Sequence, residues 1–254
     1  MPKWFLSELA GTFVLVFFGT GVVATSIAFD APVGLFQIAA VWGCAVTAAI
    51  FLSAHHSGAH INPAITLAFA AFTDFPKKRV PGYIAAQFIG AFLAACAVSL
   101  LFNNGFAAFE EARHITRGTP ESVATAKSFG EFYAAPITTL NAFGAEFIGT
   151  LLLAFAVFGF IAKGNESGPA ALTPLAIGLT LTALICVLAP ISQGGFNPAR
   201  DLAPRLFSSL AGWGKIPFST NGHAWLTVYV IAPCLGSLCG GFLATRLFRQ
   251  PDRH

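Results

Sequence analysis

Two short stretches of this chain combine residues that can start a helix with residues that can bind a polar solute. One is Gly58-Ala59-His60-Ile61-Asn62-Pro63-Ala64, and the other is Gly194-Gly195-Phe196-Asn197-Pro198-Ala199-Arg200-Asp201. In each, an Asn-Pro-Ala triplet follows a glycine-containing approach and opens a run of helix formers. Asparagine is a favoured N-cap and proline is favoured at the first helical position, so each triplet marks a helix start. Neither run that follows is long enough to cross a bilayer. A helix start carries partial positive charge, and two of them aimed at one point can orient a neutral solute while opposing cations. The second copy adds Arg200, Asp201 and Arg205. An arginine at membrane depth is costly and marks a functional site by default.

The chain that must position these residues has 254 of them, 56% hydrophobic and 10% charged. Soluble domains carry about 25% charged residues, so the composition is that of a polytopic membrane protein. The net charge of +3 comes without a basic run long enough to suggest a nucleic-acid patch, which sets nucleic acid aside as a partner. Cys44, Cys96, Cys186, Cys234 and Cys239 all fall in apolar runs without a C-x-x-C spacing and read as free packing thiols. Cys186, beside Ile185, is also a candidate for mercurial sensitivity. There is no nucleotide loop, metal cluster or nucleophile elbow in the sequence, so no enzyme, metal or cofactor is expected.

Six stretches reach the length of about 20 residues that a membrane helix needs. They are Trp4 to Phe29, Val33 to Ser53, Val80 to Phe102, Leu140 to Ile161, Ala170 to Leu188 and Ala224 to Leu243. The charges within them are Glu8 and Glu146, which sit in matching Glu-x-x-Gly-Thr frames at Glu8 to Thr12 and Glu146 to Thr150. Tyr83, Ala86 and Gly90 recur in spacing as Tyr229, Ala232 and Gly236. The chain is therefore a duplication of three spans plus one short helix. Three is odd, so the second copy enters from the opposite face. The expected fold is an all-α membrane protein of six transmembrane helices and two re-entrant half-helices in an inverted repeat. It forms one domain over 1–254, with repeat 1 at 4–102, an extracytoplasmic loop at 103–139 and repeat 2 at 140–247. Trp4, Trp225 and Tyr229 near span ends fit an interfacial aromatic belt.

Loop charges orient the chain. Lys3, Lys77, Lys78, Arg79, Lys163, Arg246, Arg249 and Arg253 lie on one side and crowd the span ends. Arg113, Arg117, Lys127, Arg200, Arg205 and Lys215 are spread over the other, which places both termini in the cytoplasm.

Irregular backbone at membrane depth is tolerated where it is buried in protein or lines a wet cavity. The residues before each triplet are read as extended, with the carbonyls of Gly58, Ala59, His60, Gly195 and Phe196 forming a row of acceptors along a lumen. Asn62 and Asn197 then meet at its centre as donors. Glu8 and Glu146 are read as acceptors for the loop N–H groups rather than as proton relays. His55 and His56 at the cytoplasmic mouth titrate near neutral pH and raise a pH gate beside the plainer reading of a solvated helix end.

The twin Asn-Pro-Ala motifs, both Glu-x-x-Gly-Thr frames, Trp42 and the segment from Arg113 to Glu121 resemble the major intrinsic protein family, the aquaporins and glycerol facilitators. The resemblance implies a passive channel for glycerol and water that excludes ions and protons, needs no cofactor, and assembles as a homotetramer in the inner or plasma membrane. It also implies a filter of Trp42, Ile185, Gly194 and Arg200, with Asp201 and Arg205 in the manner of the facilitator branch. Ile185 departs from the histidine of strict water channels and the glycine of facilitators. Gly194 departs from the aromatic that facilitators usually carry. These departures leave a water-preferring channel or a channel for urea or neutral metalloid acids as alternatives, with a coupled secondary transporter as a rival of another class.

Overall fold

The computed structural model describes residues 1–29, 31–165 and 167–248; Arg249 and Arg253, used above for orientation, lie outside them. Eight helices carry the architecture in chain order: α1 (Lys3–Ala28), α2 (Leu35–Ser57), α3 (Pro63–Phe72), α4 (Val80–Ala112), α5 (Thr139–Ile161), α6 (Thr173–Ser192), α7 (Pro198–Ser208) and α8 (Ala224–Leu247). Six are long and apolar enough to cross a membrane, and α3 and α7 are the half-helices of 10 and 11 residues. No strand occurs among the described residues. The chain is a multi-pass membrane protein.

Within each repeat the first and third spans pack together, α1 on α4 and α5 on α8, and α2 meets α6 between the repeats. The recurrent Gly90 and Gly236 explain the closeness of the first two contacts. A Cβ at Gly90 would stand 2.3 Å from the Leu9 carbonyl oxygen, and one at Gly236 would stand 2.2 Å from that of Phe147. Small residues let membrane helices approach to backbone contact, where packing rather than water exclusion holds them together. Each half-helix rests on the other repeat, α3 against α8 and α7 against α4. Phe18, Phe36, Leu52, Leu100, Leu140 and Leu179 cover the outside, as lipid requires.

The structure departs from the sequence reading at the end of α4 and at Tyr229. Helix α4 continues ten residues into the expected loop because that extension has a face to bury. Phe106 there is fully buried against Phe129 and Trp213, while the buried Glu110 accepts from Arg117 and Thr125. Tyr229 is not part of an aromatic belt: it is 1% exposed and its hydroxyl donates to the Ser192 carbonyl at 3.0 Å. Its counterpart Tyr83 does the same to Ser57 at 2.8 Å, so both tyrosines anchor the ends of the helices that lead into the half-helix loops.

Candidate functional site

Both asparagines cap their half-helices. The Asn62 Oδ1 accepts from Ala64 N at 2.9 Å, and the Asn197 Oδ1 accepts from Ala199 N at 3.0 Å and Arg200 N at 3.2 Å. Their amide groups then cross the molecule. Asn62 Nδ2 donates to the Phe196 carbonyl at 2.8 Å, and Asn197 Nδ2 donates to the Ile61 carbonyl at 2.9 Å. The two helix starts are thereby held face to face at the centre, with one N–H of each amide left over.

The approaches to the triplets are not extended, because φ is positive at Gly58 (82°), Ala59 (52°) and Ile61 (43°), and at Gln193 (69°), Gly194 (74°) and Phe196 (51°). Left-handed backbone costs a residue with a Cβ about 1–2 kcal/mol, so these loops persist because their surroundings hold them. Glu8 accepts from His60 N and Ile61 N at 2.9 and 2.7 Å, and Glu146 accepts from Gly195 N and Phe196 N at 2.8 and 2.7 Å. The glycine three residues after each glutamate clears the space for the next side chain. A Cβ on Gly11 would lie 2.9 Å from Ile61, and one on Gly149 would lie 2.1 Å from Phe196. The Glu-x-x-Gly frame is thus a clamp: the acid holds two loop N–H groups and the glycine seats the residue before the asparagine. Gln87 and Ser192 complete the clamps by donating to Glu8 and Glu146.

A cavity of about 390 Å³ runs along both loops and is lined by all five residues from Gly58 to Asn62 and from Gly194 to Asn197, besides Trp42, Ile185, Arg200 and an apolar wall. Among the described residues, no protein donor reaches the carbonyls of Gly58, Ala59, His60, Gly194 or Gly195. They remain available as acceptors, whereas Phe196 has its carbonyl engaged by Asn62. A second cavity of about 350 Å³ adjoins it, lined by residues that include Lys127, Glu131 and Gln193. Trp42, Ile185 and Arg200 line both cavities and so form the wall between them.

That wall is tightly placed. The Trp42 ring lies over Gly19, where a Cβ would come within 2.2 Å of it, and the Arg200 guanidinium lies 4.3 Å from the ring centroid. A Cβ at Gly194 would stand 3.3 Å from the Phe196 ring and 3.6 Å from Ile185, so Gly194 lies against both side chains. The ring of His60 is enclosed by Phe69, Phe75 and Tyr83 and is structural in placement. His55 and His56 meet edge to face, exposed, in the last turn of α2 and line neither cavity. Cys186 packs partly buried against the core behind Ile185.

Sequence reasoning missed Glu131. Its carboxylate forms an ion pair with Arg200, its N–H donates to Asp201 Oδ1 at 2.7 Å, and its carbonyl accepts from Arg205. Asp201 in turn takes Arg205 through both oxygens at 2.9 and 2.8 Å. All four are buried: Glu131 2%, Arg200 5%, Asp201 0% and Arg205 2% exposed. Burial pushes the Glu131 carboxyl up to about 8, against the opposing pull of Arg200. The one sequence signal was an acid set among the aromatics Phe129, Phe132 and Tyr133 of a connecting loop.

Matched against protein families, residues 1–244 fit the major intrinsic proteins. The chain belongs to the major intrinsic protein family. Among its relatives, the glycerol uptake facilitator protein of Pseudomonas aeruginosa is 39% identical over 92% of this chain and 85% of its own length. That of Haemophilus influenzae is 37% identical over 94% and 90%. The propanediol uptake facilitator PduF of Salmonella typhimurium is 35% identical over 95% and 92%. In structure, this major intrinsic protein is similar to the aquaglyceroporin from Plasmodium falciparum, with a TM-score of 0.81 at 26% identity over 95% of this chain and 94% of that one.

Proposed function

We propose that this major intrinsic protein is a passive channel for glycerol and water. The observation that carries the reading is the wall between the two cavities, where an aromatic ring, an aliphatic side chain and a guanidinium converge. Trp42 and Ile185 supply an apolar face for a carbon backbone, and Arg200, whose guanidinium lies against the Trp42 ring, supplies donors for hydroxyl oxygens beside that face. Gly194 gives back beside Ile185 part of the width that the isoleucine takes. Past this filter, hydroxyls donate to the row of unused carbonyls and accept from the spare amide protons of Asn62 and Asn197. The paired helix starts oppose cations and protons at the centre, the same device by which half-helix dipoles exclude them in aquaporin-type pores.

The clamps at Glu8 and Glu146 and the Asp201–Arg205 pair support this geometry without contacting solute. The crossed packing of α3 and α7 supports treating 1–254 as one domain, with repeats at 4–102 and 140–247 joined by the loop at 103–139. Both termini are assigned to the cytoplasm and the protein to the cell membrane from the dense charges at Lys3, Lys77, Lys78 and Arg79. The reading extends to a homotetramer with one pore per subunit, which membership of the family supports.

Stopped-flow light scattering on proteoliposomes, comparing water, glycerol and urea in one preparation, tests the reading. Fast, non-concentrative glycerol and water flux is expected, unaffected by an uncoupler. Glycerol flux at the level of empty liposomes would remove the reading.

A further inference from the structure

The two half-helices are built alike except for charge. Counting from the capping asparagines, Ile65 stands where α7 has Arg200, Thr66 where it has Asp201, and Ala70 where it has Arg205. The first half-helix takes up the same cap, the same left-handed approach and the same glutamate clamp with no charged residue of its own. Holding a half-helix therefore does not require the four charges of the second, and burying charge without need is costly. Besides Arg200 itself, Glu131 is the member that links the constriction to the outer cavity, since it pairs with Arg200 and lines the space that Lys127 also lines.

We propose that Glu131 is a positioning residue for solute discrimination, holding and neutralising the Arg200 guanidinium so that its protonation state sets how strongly the constriction favours glycerol over water. The reading rests on the channel function proposed above.

When Glu131 is ionised, its carboxylate engages part of the guanidinium fork and cancels its charge, leaving the wall beside Trp42 and Ile185 close to neutral. When Glu131 is protonated, Arg200 is an uncompensated cation, and the donors released from the carboxylate turn to passing hydroxyl groups. A polyol presents several hydroxyls to that fork and water presents one oxygen, so the polyol is retained longer and crosses more slowly. The groups facing Glu131 are Arg200, Asp201 and Arg205 on α7, Glu146 on α5 and Tyr229 on α8, with Lys127 in its own connection. Of these, Asp201 is already paired with Arg205 and Glu146 is already bound to two loop N–H groups and Ser192, so the Arg200–Glu131 pair is the part of the cluster free to change. The high position of the Glu131 carboxyl, about 8, puts that change within reach of ordinary pH.

The experiment is water and glycerol permeability of proteoliposomes, buffered equally inside and out, from pH 6 to 9.5. For the wild type, the glycerol-to-water ratio should fall about tenfold on acidification, the size of effect expected from one charge-assisted hydrogen bond. Glu131→Gln should hold the ratio at the acid value throughout, and Glu131→Asp should restore the slope. A His55→Ala/His56→Ala variant should keep the wild-type profile, which decides the matter should Glu131→Gln fail to insert. A flat wild-type ratio, a slope that survives in Glu131→Gln, or a slope lost with the two histidines overturns the proposal. Absence of glycerol flux at every pH defeats the channel reading instead, whereas glycerol flux with a flat ratio defeats this inference alone.

Discussion

Asn62 and Asn197 each donate to the backbone of the opposite loop, Asn62 to the Phe196 carbonyl at 2.8 Å and Asn197 to the Ile61 carbonyl at 2.9 Å. Each asparagine therefore caps its own half-helix and ties it to the other. The centre of the molecule is a reciprocal knot, and its two halves are equivalent in the bonds that cross it.

That equivalence is testable. Asn62→Ala and Asn197→Ala should each destabilise the protein by about 2 kcal/mol, combining a lost cap with a buried carbonyl left without its donor. Thermal unfolding in detergent measures this. A loss in one variant and none in the other would show that the knot is not reciprocal.

The glutamate clamps make a second prediction. Glu8→Gln and Glu146→Gln keep one acceptor oxygen and turn an amide against the second loop N–H, at a cost of about 1–3 kcal/mol each. Hydrogen exchange should then speed up at His60 and Ile61 in the first variant and at Gly195 and Phe196 in the second. If either glutamate were instead a proton relay, its variant would abolish an uncoupler-sensitive, concentrative uptake, which a channel does not have.

Gly90→Val and Gly236→Val place carbon atoms against the carbonyls of Leu9 and Phe147. Overpacking should cost about 1–3 kcal/mol in each case. The two sites lie in different repeats, and the double variant should show nearly the sum of the single effects in the same melt. A stable Gly90→Val protein would mean that α1 and α4 can separate without penalty.

Arg200 and Glu131 should show strong coupling. Arg200→Ala leaves a buried carboxylate without its partner, a loss of about 3 kcal/mol at a pH above 8, and adding Glu131→Gln should recover most of it. The single Arg200→Ala protein should also admit cations in a liposome flux assay. Additive stabilities in this cycle would show that the pair is not an energetic unit.

Ile185→Gly should raise the permeability of a four-carbon polyol relative to glycerol by roughly tenfold, since a side chain of this size is worth that much discrimination in an apolar pocket. Scattering traces with erythritol and glycerol give the ratio. No change would take Ile185 out of the constriction.

Much of this molecule could be read directly from residue order. The six apolar runs, the two Asn-Pro-Ala helix starts and the odd number of spans per repeat dictated an inverted bundle with half-helices, because hydrophobic length, capping preference and repeat parity are local or periodic properties of the chain. Glu8 and Glu146 were recognisable as loop acceptors for the same reason: an acid inside a membrane span needs donors, and the loops supply them. What residue order could not disclose was which groups meet across it. The left-handed approach at Ala59, Ile61 and Phe196 depends on clamps supplied from other helices, and residues with a Cβ give no local sign of it. Tyr229 resembled a belt residue until its hydroxyl was seen to be buried on Ser192. Glu131 sits in a connection with no periodicity, and its meeting with Arg200 arises where the α4–α5 connection packs on α7. Contacts between segments so far apart depend on packing geometry, and the tertiary structure alone decided them.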